Sequence, residues 1–455
     1  MAGTKNKILI VASAAVLLFI GLYLLYPYVH SRIIFGLRED FRSAVPYQAV
    51  PAGIDGIRAE DCAKCHRAIY DEWKTSIHSH SYVDPFFQAY WKKDEHIWIC
   101  LNCHTPLVNQ QPNLVGAMEK PGRVETALLT PNPRYDADFQ NEGITCAACH
   151  VRDGVIEGPY DDSDAPHPTR YSDRFTTTKI CFTCHQVPSD RFQFYNVGPC
   201  ATFPEFETGP YAKIGTICQD CHMPLVERAV AEKGPVRQHA RRHLWRGGHD
   251  PQMIQAAVNA VLTNRTPREK IGRRVDYTLT FYNAGAGHKL PTGDPDRYFT
   301  IEFEVKDKTG QILKKQFHTI GRWIIWQPVI LEVYDNRLMP FDNRDYNFSY
   351  VLPKNREGLT LTARVRYHIL TPRAHQRLIT KYGLTDLNAP YEFTITEETV
   401  SLDSSSPSAG RVTQREKGVQ VASFASTGGP RLRCQTGDDH GSLINIHRGV
   451  VNTTK

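Results

Sequence analysis

Hydrophobic and polar positions change their period several times along the chain. Ile8 to Tyr26, "ILIVASAAVLLFIGLYLLY", is an apolar run interrupted only by Ser13 and Gly21. At about 1.5 Å per helical residue it spans roughly 28 Å, close to the thickness of a bilayer core. Tyr26 and Tyr28 follow where an interface would lie. A cleaved leader has a shorter apolar region followed by a small-x-small site. Here Ala12 to Ala15 sit inside the run, so residues 1–28 are expected to be an uncleaved transmembrane anchor. Residues 29–61 read as a linker, broken by Pro46, Pro51, Gly53 and Gly56. Across residues 62–272 neither period is sustained, and short helices and loops are expected. Within that stretch, Pro251 to Asn264 ("PQMIQAAVNAVLTN") has an amphipathic helical pattern with Asp250 as its cap and Pro251 at its first position.

Beyond Arg273 the period becomes two. "RRVDYTLTFYN", "YFTIEFEVKD", "YNFSYVL" and "LTLTARVRYHI" alternate between Gly, Pro, Asn and Asp boundaries, with Asp307 to Gly310 as a turn. Residues 273–400 are expected to form a β-sandwich. Residues 401–455, rich in Ser, Gly, Thr and Arg, are expected to be disordered.

Cysteine placement adds the chemistry. Ten of the twelve cysteines fall into five copies of Cys-x-x-Cys-His: Cys62/Cys65/His66, Cys100/Cys103/His104, Cys146/Cys149/His150, Cys181/Cys184/His185 and Cys218/Cys221/His222. This is the attachment pattern of c-type haem. Two thiols three positions apart reach the two vinyl groups of one porphyrin, and the next imidazole turns onto the iron. A zinc site pairs one Cys-x-x-Cys with a second Cys or His pair, and a thioredoxin-like site needs one motif. A chain of 455 residues is too long to need a disulfide framework. Five covalently bound haems are therefore expected. Motif starts lie 38, 46, 35 and 37 residues apart, so little protein surrounds each haem. The expected fold class is a multihaem cytochrome of short helices and loops around haems, with an N-terminal transmembrane helix and a C-terminal β-sandwich.

The formal net charge of +6 implies no nucleic-acid partner, because the haem propionates bring the loaded protein close to neutral. Lys5 and Lys7 before the apolar run and Arg32, Arg38 and Arg42 after it leave orientation undecided by charge. Thioether attachment takes place outside the cytoplasmic membrane in bacteria. The haem region is thus expected on the periplasmic side of the bacterial cytoplasmic membrane, anchored through residues 8–26.

Each iron has a first ligand in His66, His104, His150, His185 or His222. A second imidazole makes a low-spin electron carrier, whereas an open position admits a substrate. His78 and His80 lie on the helix after the first motif, an awkward reach from the same porphyrin. One of them, His78 first, is expected to serve a neighbouring haem. His243 and His249 flank "LWRGG", a turn that permits close approach to a flat ring. His288 in "NAGAGHKLPTG" and His167 in "DAPHPTR" complete the expected second ligands, with His96 and His239 in reserve. His318, His368, His375, His440 and His447 are expected to be ordinary strand or tail residues. Cys200 and Cys434 are left over.

"CAKCHRAIYDEWKTSIHSH", with Trp73, Ser76 and His78 at that spacing, then "GITCAACH" and "ICFTCH", resembles the family of tetrahaem cytochromes c that accept electrons from hydroxylamine oxidoreductase. The resemblance covers roughly Asp61 to His185. It implies closely packed, mostly bis-histidine haems, some stacked in pairs, with the second iron, at His104, five-coordinate. The chain departs from that family in its fifth motif, "CQDCHMP", its apolar N-terminal run and everything beyond Arg273. The expected function is electron transfer from a redox protein or quinone pool to another redox protein. The alternatives are an oxidoreductase acting on hydroxylamine or a nitrogen oxide at a five-coordinate haem, and a quinol dehydrogenase. Nothing in the sequence marks an unmistakable active site, and Cys-x-x-Cys-Lys is absent.

Overall fold

A computed structural model describes residues 11–25, 45–118, 127–162, 164–186, 200–325, 331–386 and 388–403. Residues 11–25 are helical, with nearly every side chain exposed. Fifteen helical residues reach only about 22 Å, short of a hydrocarbon core of about 30 Å. Among the described residues no helix is long and apolar enough to cross a membrane. This finding overturns the expected single-pass anchor, and with it the expected place at the cytoplasmic membrane with a periplasmic haem region. Residues 8–10 and 26 of the apolar run lie outside the described residues, as do the tail from 404 onward, His440, His447 and Cys434.

The expected fold class also needs correction. The described residues are rich in sheet, with fifteen strands in five small sheets, rather than helices and loops gathered around haems. The helices of the motif region are short, from Leu101–His104 (4 residues) to Pro85–Lys93 (9 residues). Helices this short are marginal, since nucleation is barely repaid, so much of the backbone pairs sideways instead. β1 (Asn113–Met118) pairs with β2 (Ala127–Pro131). Immediately after the third motif, β3 (Val151–Arg152) turns back into β4 (Val155–Gly158). Asp153 and Gly154 make that turn with φ of 54° and 74°, the double left-handed geometry that matches strand twist. β5 (Thr169–Tyr171) adds in parallel to β4. After the fifth motif, β6 (Leu225–Ala229) pairs with β7 (Val236–Arg241).

The helix expected over Pro251 to Asn264 is only half present. Asp250 caps it, its carboxylate accepting from the Met253 amide at 2.9 Å, but the helix ends at Ala257. Val258–Asn264 becomes β8 because it finds a partner ladder in β9 (Arg274–Asn283). Long-range pairing here overrides a short helical period.

The larger sheets follow. β10 (Tyr298–Lys306), β11 (Ile312–Ile325), β12 (Leu331–Asp335), β13 (Asn343–Val351), β14 (Thr360–His368) and β15 (Glu392–Ser401) complete the order. One sheet runs β12-β11-β10-β14-β15 and the other β13-β9-β8. The β10–β11 hairpin turns at Gly310 (φ 85°), where Asp307 accepts from the Thr309 and Gln311 amides. Both sheets contribute to one apolar core. On β14, Leu361, Ala363, Val365 and Tyr367 are buried, alternating with Thr362, Arg364 and Arg366 on the other face. Phe303 of β10 stacks on Phe348 of β13 at 5.1 Å, joining the two sheets.

One ionic network ties this body to the motif region. Glu205, on the helix Thr202–Glu207, pairs with Arg337 at 2.6 Å, and Arg337 also holds Asp335 at 2.9 Å. Asn283 at the end of β9 donates to the His288 carbonyl (2.9 Å) and the Leu338 carbonyl (3.1 Å). Asn283 thereby shapes the loop that carries His288.

Phe303 is fully buried, while Phe317 on β11 is 66% exposed. Phe303→Ala is expected to lower the unfolding free energy by about 3–5 kcal/mol, and Phe317→Ala to change it by less than about 0.5 kcal/mol. Urea midpoints of the two variants check this; equal effects would contradict the assigned core.

Candidate functional site

In each motif the second cysteine and the histidine follow the first by three and four positions, which is one helical turn. Cys146–His150 and Cys218–His222 are helices, and in the first and fourth motifs the turn closes by His66 N to Cys62 O (2.9 Å) and His185 N to Cys181 O (3.1 Å). Two thiols and an imidazole therefore leave the backbone on one side. All five sets meet in a single cavity of about 1960 Å³, lined by every motif histidine and by nine of the ten motif cysteines, Cys100 excepted. Small-molecule pockets occupy roughly 300–1,000 Å³, so this space suits several large groups together.

The motifs also touch one another. The Cys62 and Cys146 thiols lie close enough to perturb one another, as do those of Cys103 and Cys184 and those of Cys181 and Cys218. The first motif thus meets the third, the second meets the fourth, and the fourth meets the fifth.

Backbone carbonyls set the imidazoles. Nδ1 of His66 lies 2.6 Å from the Val230 carbonyl, His104 Nδ1 2.6 Å from Ser81, His150 Nδ1 2.7 Å from Glu157, and His222 Nδ1 2.6 Å from Arg246. A carbonyl can only accept, so the proton sits on Nδ1 and leaves the Nε2 lone pair for a ligand. His243 and His288 are held alike, by the Arg241 (3.0 Å) and Lys289 (2.9 Å) carbonyls.

Three imidazole pairs face one another. Ring centroids are 6.3 Å apart for His78 and His185, 6.3 Å for His150 and His243, and 6.4 Å for His222 and His288. Two imidazoles bound through nitrogen on opposite faces of one metal, each at about 2 Å, have centroids about 6.3 Å apart. Each pair joins one motif histidine to one histidine from a distant segment. The pairs are not protein-only metal sites. Among the described residues no group of three or more His, Cys, Asp or Glu side chains could hold a metal ion, which corrects the expectation of metal binding.

His78 is brought to its partner by close packing on the third motif. Ile144 N donates to the His78 carbonyl at 2.9 Å, and a Cβ on Gly143 would lie 2.7 Å from that oxygen. Gly143 also has φ of 62°, so no larger residue fits without strain. The Trp245 ring packs against both His78 (4.8 Å) and His243 (5.0 Å), with the Trp245 backbone at φ 43°. Glu72 fixes the backbone at His243. It accepts from Arg228 twice (2.8 and 2.9 Å), from Arg242 Nε (2.9 Å) and from the His243 amide (2.8 Å). Burial alone would raise the Glu72 pKa, but these donors hold it below the usual range.

The other expected ligands are placed differently. His167 lines the cavity with Nδ1 buried and unpartnered, and it is electrostatically coupled to His66. His249 also lines the cavity, but its Nε2 lies 3.4 Å from Arg297 Nη2. Among the described residues no imidazole faces His66 or His104 as in the three pairs; His104 instead stacks on Phe87 at 3.7 Å. His80 turns to the Ser76 carbonyl at 2.9 Å, His96 packs edge-on to Trp91, and His239 lines the cavity from β7. His318, His368 and His375 pack on Tyr346, Tyr298 and Tyr391 in the β-rich body. Sequence reasoning missed Glu72, Trp245, Arg297 and Tyr367. No local signal identified them, since each acts through residues far away in the chain.

Burial pushes the His78, His243 and His249 imidazoles down to about 3, and His150, His185 and His288 to about 4. The unfolded chain, with imidazoles near 6.5, binds more protons than the folded one between these values. Stability is therefore full above about pH 6.5 and is lost as the pH falls towards 4. Urea midpoints at pH 7.5 and 5.0 test this; equal midpoints would refute the neutral, buried assignment.

No protein-family model matches the chain, and no curated protein matches it. Among solved structures it is similar to a penta-haem cytochrome c552 from Thermochromatium tepidum. The TM-score is 0.55 at 19% identity, covering 76% of this chain and 98% of that one. A putative beta-galactosidase from Bacteroides fragilis matches 33% of this chain and 16% of its own at 14% identity, and its TM-score of 0.17 carries no argument. The fold is thus shared with a multihaem c-type cytochrome, and the likeness does not point specifically to the tetrahaem proteins.

Proposed function

We propose that this protein is an electron carrier holding one c-type haem at each of its five Cys-x-x-Cys-His motifs. The observation that carries the reading is the trio of imidazole pairs at 6.3, 6.3 and 6.4 Å, each spanning the space one iron needs. When bound, haem iron supplies one-electron exchange between its ferric and ferrous states.

The chain supplies attachment, ligands and order. The motif cysteines form the thioethers, and His66, His104, His150, His185 and His222 are the first axial ligands. His78 completes the site of His185, His243 that of His150, and His288 that of His222. His167 serves the site of His66. Carbonyl bonds to Nδ1 keep Nε2 of most of these rings free and make it more basic, which favours the oxidised metal. The sulfur contacts support an order in which the first and third sites adjoin, the second and fourth adjoin, and the fourth and fifth adjoin. The fourth site, at His185, then lies between the second and the fifth. Donor and acceptor are redox proteins.

A second reading, an oxidoreductase at the His104 iron, is favoured by one observation: that imidazole has no imidazole opposite it among the described residues.

The pyridine haemochrome of the purified protein is expected to count five haems per chain. His78→Ala, His243→Ala and His288→Ala are each expected to convert one low-spin haem to high-spin, read by electron paramagnetic resonance. Carbon monoxide is expected to shift the reduced Soret band of the unmodified protein by an amount matching about one haem in five. Unchanged low-spin spectra in all three variants would remove the ligand assignment, and no carbon monoxide shift would leave the carrier reading alone.

A further inference from the structure

Arg297 occupies the start of the segment entering β10, and its side chain lines the cavity. Its Nη1 reaches the Thr292 carbonyl at 3.4 Å and its Nη2 the His249 ring at 3.4 Å, both long contacts. Its Nε is buried and unpartnered. Among the described residues no carboxylate lies within 4.0 Å of the guanidinium. Arg322 and Arg337, the buried arginines of this body, are each paired with a carboxylate, whereas the half-buried Arg297 lines the cavity under only the longer-range fields of Asp294 and Asp84. A guanidinium at a cavity wall with an unpartnered Nε is a group that an oxyanion pairs with.

Two further groups converge on the same point. Tyr367 is buried, and its hydroxyl has no hydrogen-bond partner among the described residues. A Cβ built on Gly248 would lie 2.6 Å from Arg297 Nη1 and 2.9 Å from the Tyr367 hydroxyl, and one on Gly293 would lie 3.1 Å from Nη1. Glycine at both positions therefore keeps the approach to the guanidinium clear. His249 Nε2 must accept from Arg297, since a guanidinium only donates, and so fixes the fork from one side. What remains directed into the cavity is a set of donors. The cluster adjoins the second motif: Asp84 caps the helix that stacks Phe87 on His104, and Asp84 and Asp294 are coupled to Arg297 while Asp294 is coupled to His104.

We propose that Arg297, Tyr367 and His249 form an oxyanion-binding site on the His104 side of the cavity. Its ligand is a carboxylate-type oxygen anion, either a propionate of a bound haem or a small free inorganic oxyanion. The inference rests on the haem-cluster reading above. That dependence assigns His249 to the anion site rather than to an iron, because its free nitrogen is already engaged by Arg297.

The test titrates sodium nitrite into the oxidised, haem-loaded full chain, following the visible spectrum, with potentiometric titration of the same samples. Haem counts on each sample test the underlying reading separately, and fewer than five haems in the unmodified protein would sink that reading whatever nitrite does. For a free oxyanion, nitrite gives a saturable shift in the unmodified protein. Arg297→Gln then weakens it roughly tenfold to a hundredfold, and Arg297→Lys restores part of the loss, keeping the charge but not the fork. For a propionate, nitrite has no effect, but Arg297→Gln lowers the midpoint potential of one haem and Arg297→Lys restores it. Either result supports the site. If the Arg297 variants fail to retain haem, Tyr367→Phe, which removes one hydroxyl, is expected to move the same readout in the same direction by roughly tenfold or less. An intact five-haem Arg297→Gln protein with unmoved potentials would overturn the proposal if nitrite leaves the unmodified protein unshifted or shifts both proteins with equal affinity, as would an unmoved Tyr367→Phe protein where only that variant can be loaded.

Discussion

The arrangement depends on a small, repeated bond: a backbone carbonyl accepting from Nδ1 of an imidazole. It recurs at His66, His104, His150, His222, His243 and His288, between 2.6 and 3.0 Å. Each bond fixes a tautomer and a ring direction together, and three of the carbonyls lie in or directly after a paired strand. Val230 follows β6, Glu157 lies in β4, and Arg241 ends β7. The small sheets of the motif region are therefore the brackets on which the imidazoles hang. Without them, motif helices of four or five residues would have no fixed direction.

The same logic explains why the β-rich body is built into the cavity. His288 reaches His222 from a loop shaped by Asn283, which itself ends β9. Glu205, Arg337 and Asp335 lock the adjoining helix to that loop's surroundings through a buried ionic network. Removing one member of such a network leaves an uncompensated charge, so it sets geometry more than it adds stability. The paired sheets thus serve as a rigid platform that presents one imidazole and the Arg297 cluster to the cavity.

Much of the chemistry was legible in the chain because it is local. Cys-x-x-Cys-His needs only one helical turn to present its three groups together, and five copies point to haem on spacing alone. The β-strands beyond Arg273 were legible for the same reason, since alternation is a property of neighbours. The apolar run at the N-terminus illustrates the limit. Its composition matched a membrane span, yet only fifteen of its residues are described as helical, and they are too few to cross. The small sheets were illegible because strands of two to six residues carry too few positions to establish a period, and β8 was hidden inside a helical pattern.

The sequence by itself determined which thiols and imidazoles can act together at each motif, and which histidines remained as candidates for a second ligand. Only the tertiary structure decided that His78 meets His185, that His243 meets His150, and that His288 meets His222. It also decided that His249 meets Arg297 and that, among the described residues, no imidazole faces His104. The three imidazole pairs lie from 66 to 107 residues apart and are set by where strand ladders and buried ion pairs bring the backbone. Nothing in the local spacing of residues encodes those meetings, because long-range contacts are specified by the sum of all packing and not by any one segment.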